Sequence, residues 1–220
     1  MTTGDVTAEL QRLAEEVQGC TRCDLYRDAS HGVPGEGPPD SNILLVGEAP
    51  GRNEDRQGRP FVGAAGQFLE QLLALAGLRR SDVYITNVVK HWPNQDNGRY
   101  RENRAPEPAE ILACRPFLDR QIRLIDPRVI VTLGRFSLAT FFPGVRISDV
   151  HGQVREHDGR FFFHMYHPAA ALHQQSLRDT LMSDMRKLTE FLREPLTEEQ
   201  PEARVQELDN PADPEQLTLF

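Results

Sequence analysis

The stretch Asn42–Gly66 constrains this chain more than any other. An apolar run, Ile43-Leu44-Leu45-Val46, breaks into GEAPGRNEDRQGRPFVGAAG at Gly47–Gly66, and a helical pattern, Gln67-Phe68-Leu69-Glu70-Gln71-Leu72-Leu73, follows at once. Consecutive apolar residues without polar alternation suit a strand covered on both faces, as in a parallel sheet. A Gly/Pro-rich loop between such a strand and a helix is where α/β domains collect ligands. The loop carries Glu48, Glu54, Asp55, several arginines and a single Phe61 among five glycines. That mixture builds no core and reads as a binding loop.

The remaining chain repeats the alternation. Val6, Leu10, Leu13 and Val17, at spacings of three and four, predict an amphipathic helix that delivers the chain to Cys20. Asp82–Val89 reads as a second strand and Lys90–Arg104 as a long polar loop. Pro106, Pro108, Glu107 and Glu110 mark the start of a helix over Pro106–Ile125. Arg128–Leu133 is a third strand, Phe136–Phe142 opens a helix, Gly152–Val154 and Arg160–Met165 are strands, and a last helix spans about Gln175 to Leu192. Strands alternating with helices predict an α/β domain over residues 1–194, three α/β/α layers around a mostly parallel sheet of about four strands.

Charge enters because it bears on partners. From Pro195 to Phe220 seven acidic residues face one basic one, so of a net charge of −8 only −2 falls on residues 1–194. A local basic face on the domain is therefore compatible with the acidic total. The 195–220 segment, rich in Pro and Glu, is expected to be a disordered tail. No run approaches the roughly 18 apolar residues of a membrane span, and Met1–Asp5 lacks the basic and apolar regions of a secretory signal. A cytoplasmic, monomeric protein with no membrane partner is expected. Three cysteines cannot all pair, and Cys20-Thr21-Arg22-Cys23 has the spacing of metal ligands.

Five ordered motifs meet in one pattern: GEAPG at 47–51, Glu54-Asp55, Gly58-Arg59-Pro60-Phe61-Val62-Gly63, Thr86-Asn87-Val88-Val89-Lys90 and His167-Pro168-Ala169-Ala170. Together, over about residues 18–192, they resemble the uracil-DNA glycosylase superfamily, closest to its family-4 and X-type iron–sulfur branches. The resemblance implies a monofunctional enzyme of bacterial, nucleoid-associated repair. Such an enzyme flips uracil out of single- or double-stranded DNA and hydrolyses its N-glycosidic bond. Base-binding residues would then be Gly47, Ala49, Gly51, Phe61 and Asn87, with Phe61 as the stacking platform. The Asn87 carboxamide can accept from uracil N3–H and donate to O4, a pattern cytosine reverses. His167 would donate to O2 as charge develops there. Ala49 occupies the slot where well-known relatives place water with an Asp, which leaves Glu48 or Glu54 for that task. Gly51 stands where a Tyr would exclude the thymine methyl.

The resemblance extends to a metal site with one substitution. Cys20, Cys23 and Cys114 match three of four cysteine positions of family 4, and His91 stands at the fourth. A 4Fe–4S cluster with Cys₃His ligation is implied, with zinc as the alternative. In the polar loop, Asn103 replaces the histidine by which X-type enzymes capture the sugar, so permanent capture is not expected. Arg99, Arg101 and Arg104 are candidates for phosphates, and Leu172 for the wedge that helps expel the base. The ending Gln216-Leu217-Thr218-Leu219-Phe220 resembles the peptide by which bacterial repair proteins hold the DNA sliding clamp, with Gln216, Leu217, Leu219 and Phe220 as anchors. Two other readings stay open: a clamp-tethered protein that binds lesions with little turnover, and a glycosylase for another deaminated base such as hypoxanthine.

Overall fold

A computed structural model of the chain describes residues 2–193. The tail and its clamp-peptide residues lie outside them. In chain order the elements are α1 (Thr3–Gln18), β1 (Ile43–Gly47), α2 (Arg52–Gln57), α3 (Ala64–Leu75), β2 (Tyr84–Asn87), β3 (Asn94–Asp96), β4 (Arg101–Asn103), α4 (Pro108–Ile125), β5 (Val129–Leu133), α5 (Arg135–Phe141), α6 (Ile147–Val150), β6 (Val154–His157), β7 (Arg160–Met165) and α7 (Gln175–Arg193), with a 3₁₀ turn at Pro168–Leu172.

The central sheet runs β2-β1-β5-β7-β6, parallel except for β6, which is antiparallel to β7. Period-two alternation sorts its side chains into two cores. Ile43, Leu45, Ile85, Val131 and Phe163 meet Phe68, Leu69 and Leu72 of α3 and Leu181, Met185 and Leu188 of α7. On the other face Leu44, Val46, Tyr84, Ile130 and Phe162 meet Leu13 and Val17 of α1 and Phe117, Leu118 and Ile125 of α4. The sheet is thus covered on both sides, and the three layers follow from the doubly apolar strands. Among the described residues no helix is long and apolar enough to cross a membrane.

The structure departs from the sequence expectation in four places. The sheet has five strands rather than about four. Its edge strand is Val154–His157, not Gly152–Val154, because Asp158 and Gly159 both take positive φ (49° and 70°) and close a tight hairpin into β7. The polar loop after β2 is a small hairpin as well, β3 pairing with β4 from Asn94↔Asn103 to Asp96↔Arg101. Helix α4 starts two residues later than expected, at Pro108.

Candidate functional site

Gly47 and Asn87 end the adjacent strands β1 and β2 and are register partners. A Cβ on residue 47 would stand 2.3 Å from Asn87 Oδ1 and 2.6 Å from Phe61 Cζ, so only glycine lets the ring and the carboxamide close over the strand end. Asn87 is 1% exposed, yet its Oδ1 has no hydrogen-bond partner among the described residues. A desolvated, unpaired carbonyl costs about 1–3 kcal/mol. The floor of the site therefore presents an acceptor without a donor.

Phe61 holds φ = +51°, an unfavourable backbone for a residue with a side chain. Two clamps hold it there. From one side Glu54 Oε1 accepts the amides of Val62 (2.8 Å) and Gly63 (2.7 Å), while Oε2 accepts that of Gly51 at 3.2 Å. From the other, Arg80 donates to the carbonyls of Phe61 (3.0 Å) and Pro60. Arg80 is itself paired with Glu36 at 2.6 Å. Glu36 exchanges backbone hydrogen bonds with Ile85 of β2, at 3.0 and 2.8 Å. The platform residue is thereby tied to the strand that carries Asn87. Gly66 completes the seat, since a Cβ there would fall 1.8 Å from the Phe61 carbonyl.

His167 enters from the end of β7 and caps the 3₁₀ turn, its Nδ1 accepting the Ala169 N–H at 3.1 Å. With Nδ1 used as an acceptor, the neutral ring carries its proton on Nε2. Burial pushes the imidazole down to about 4, so it is neutral at physiological pH. Its ring stacks on Phe61 with centroids 5.6 Å apart and planes 26° from parallel. Three elements distant in sequence thus bring together an aromatic face, an amide edge and an N–H donor.

The two carboxylate candidates differ. Glu54 is occupied by the three amides above. Glu48 makes no side-chain hydrogen bond with another described residue, and burial raises its carboxyl above the ordinary value against a weaker pull from Arg135. Ala49 packs into the α1/α4 core and Gly51 caps α2. Lys90 is fully buried, and its Nζ donates at 2.7 Å each to Thr86 Oγ1, the Asn87 carbonyl and Gln121 Oε1. Burial draws its ammonium down to about 7, but an amine so enclosed cannot reach a sugar.

The metal candidates lie in the segment after α1, in the chain after β2 and in α4. Cys20 and His91 line one hollow of about 230 Å³. Cys114 accepts the Lys90 N–H at 3.2 Å, and all three thiols are free of disulfides. Burial pushes the Cys114 thiol up to about 11, with Lys90 opposing and Cys23 and Cys20 adding to the rise. Among the described residues no three His, Cys, Asp or Glu side chains are grouped to hold one metal ion. A single tetrahedral zinc requires ligands about 2.0–2.3 Å from one point, whereas a four-iron cluster is bulkier and takes its ligands farther apart.

Of the residues expected to meet phosphate, Arg104 forms a two-pronged pair with Glu110 (2.9 and 2.6 Å) and Arg101 pairs with Asp28 at 2.7 Å. Arg99 is exposed at the tip of the β3–β4 hairpin. Leu172 is 43% exposed on the turn after His167. Sequence reasoning missed Arg80 and Glu36, whose mutual pairing and hold on the Phe61 turn span 19 or more residues and leave no local signal. It also missed the contacts of Trp92, whose Nε1 donates to Asn103 Oδ1 at 2.7 Å.

The family described as the Uracil DNA glycosylase superfamily matches residues 34–193. A type-4 uracil-DNA glycosylase of Sulfurisphaera tokodaii is 43% identical over 194 residues, covering 83% of this chain and 84% of that one. That of Thermotoga maritima is 40% identical over 189 residues, covering 84% and 95%. A type-5 uracil-DNA glycosylase of Thermus thermophilus is 38% identical over a shorter 121 residues, 48% of this chain. With Gly47, Phe61, Asn87 and His167 gathered at the strand ends, ordered motifs and relatives of this extent, the chain belongs to the uracil-DNA glycosylase superfamily, beside its type-4 members.

Proposed function

We propose that this chain excises uracil from DNA by hydrolysis, and that the pocket between Phe61, Asn87 and His167 holds the everted base. The observation that carries the reading is the buried, unpartnered Oδ1 of Asn87 beside the Phe61 ring. Uracil N3–H would supply the missing donor, and the amide NH₂ would donate to O4. Cytosine, with an acceptor at N3 and a donor at C4, would leave two polar groups unpaired. As the C1′–N1 bond breaks, the electron pair moves into the base, and His167 Nε2–H stabilises the charge on O2. The Glu48 carboxylate, without a side-chain hydrogen bond, accepts a proton from the water that attacks C1′, and that proton passes through solvent to the departing base. The products are free uracil and an abasic site. Glu54 serves by positioning Phe61, and Lys90 by fixing the carbonyl of Asn87.

The same reading assigns Cys20, Cys23, His91 and Cys114 to a 4Fe–4S cluster, which would tie the segment after α1 and the chain after β2 to α4. Arg99 and Leu172 are the DNA contacts it favours, since Arg101 and Arg104 are engaged in ion pairs. The Gln216–Phe220 peptide would tether the enzyme to a sliding clamp.

The test is excision from uracil-containing oligonucleotides by the purified, iron-loaded chain. Asn87→Ala should lower kcat/KM by about 10²–10³-fold and narrow the preference for uracil over cytosine. Oligonucleotides left intact by the parent protein would sink the proposal.

A further inference from the structure

The rim of the pocket carries a stack of side chains that base excision as described leaves unused. Arg52, the first residue of α2, follows the binding-loop residue Gly51 directly. Its guanidinium lies over the ring of Trp92, 5.7 Å from the centroid, and over that of Tyr100, at 5.5 Å. It also donates to the Arg101 carbonyl. Trp92 is 5% exposed and locked by Asn103, whereas Tyr100 is 55% exposed. The stack is therefore sheltered at one end and open at the other.

Tyr100 is held for a surface aromatic. Asn97 Oδ1 accepts the amides of Arg99 (3.1 Å) and Tyr100 (3.0 Å), which fixes the hairpin tip. The hairpin is anchored in turn by the Arg104 N–H on the Pro93 carbonyl (3.0 Å) and by the Arg101–Asp28 pair. It also abuts the binding loop, since a Cβ on Gly51 would stand 3.7 Å from Asn103 Nδ2. A flat ring backed by a cation, with its outer side open and an exposed arginine adjoining it, is the recurring arrangement for an unpaired base and its phosphate.

We infer that Tyr100, backed by Arg52 and Trp92, is a stacking site for an unpaired nucleobase of the DNA strand that enters the pocket. The inference rests on the glycosylase reading only in that DNA must lie across this rim. Stacking is indifferent to base identity, so the site serves single-stranded or locally opened DNA and not a particular sequence.

Trp92 is the only tryptophan in the chain, so its emission reports on this stack directly. The probe is a uracil-free oligothymidylate of about ten nucleotides, within the length such sites cover. Binding should change the Trp92 emission of the full chain. Tyr100→Ala should weaken binding by about 5- to 150-fold, Tyr100→Phe should restore it, and neither should alter the slope of log affinity against log salt. Arg99→Ala should instead flatten that slope by about 0.7. Binding by Tyr100→Ala within twofold of the parent, or a Trp92 emission that ignores the oligothymidylate, would overturn the site. Uracil excision measured in parallel keeps the two readings apart: a parent protein that binds through Tyr100 but excises nothing refutes the glycosylase reading alone.

Discussion

Glu48 and Glu54 sit six residues apart in one loop and take opposite parts because of what surrounds them. Glu54 accepts three backbone amides, so Glu54→Gln should lower the melting temperature and slacken the Phe61 turn. Glu48 is unbonded and desolvated. Glu48→Gln should therefore lower kcat by about 10²–10⁴-fold with no loss of stability. The sign follows from its raised carboxyl: the folded state holds the proton more tightly than the unfolded chain. The fold therefore loses stability as pH rises from the ordinary value of 4.5 through the folded one, and removing the charge relieves that cost at neutral pH. The acid limb of the parent's rate profile should lie above 4.5 and vanish in Glu48→Gln. His167, already neutral down to about 4, should add no limb near 6.5. Equal loss of stability in both variants would refute this division of roles.

At the scale of elements, the platform turn is held by segments that neither precede nor follow it. Arg80 donates to the carbonyls of residues 60 and 61 and is fixed by Glu36 on the edge of β2. Arg80→Met should release the +51° turn, lowering kcat/KM by up to about 10²-fold, the cost of displacing a reacting group by roughly 1 Å. A folded Arg80→Met enzyme of parental rate would mean that the ring holds itself. None of this was legible locally. The GRPFVG motif announced a binding turn, but an arginine after a helix carries no mark of its target. The Asp158-Gly159 pair is the reverse case, a hairpin signal present in the sequence and passed over, which shifted the edge strand by two residues.

For the molecule as a whole, the segment from Cys20 to Gly32 meets the cores only through Leu25, with Cys20 and Cys23 packed at their edge. It is held by polar contacts such as Gln18 to Gly32 and Asp55 to Ser30 and His31. A cluster bridging Cys20, Cys23, His91 and Cys114 would fasten that segment to α4 and to the end of β2. Cys114→Ser should lose iron by metal analysis and melt at a lower temperature, because metal affinity is folding free energy where the site exists only in the native state. Retention of both iron and melting temperature, or zinc in place of iron in the parent, would remove the cluster from this account.

The sequence by itself determined the layered sheet, because strand and helix periods and doubly apolar strands are local properties that leave few packings. It also supplied the residue types of the pocket, since Gly47, Phe61, Asn87 and His167 stand in motifs whose order is readable along the chain. The tertiary structure alone decided what each group is free to do. It satisfied Glu54 and left Glu48 open, placed the His167 proton on Nε2, paired Arg101 and Arg104, and left Asn87 Oδ1 without a donor. Those outcomes depend on which groups meet across tens of residues, and hydrogen bonding and desolvation act only once they have met.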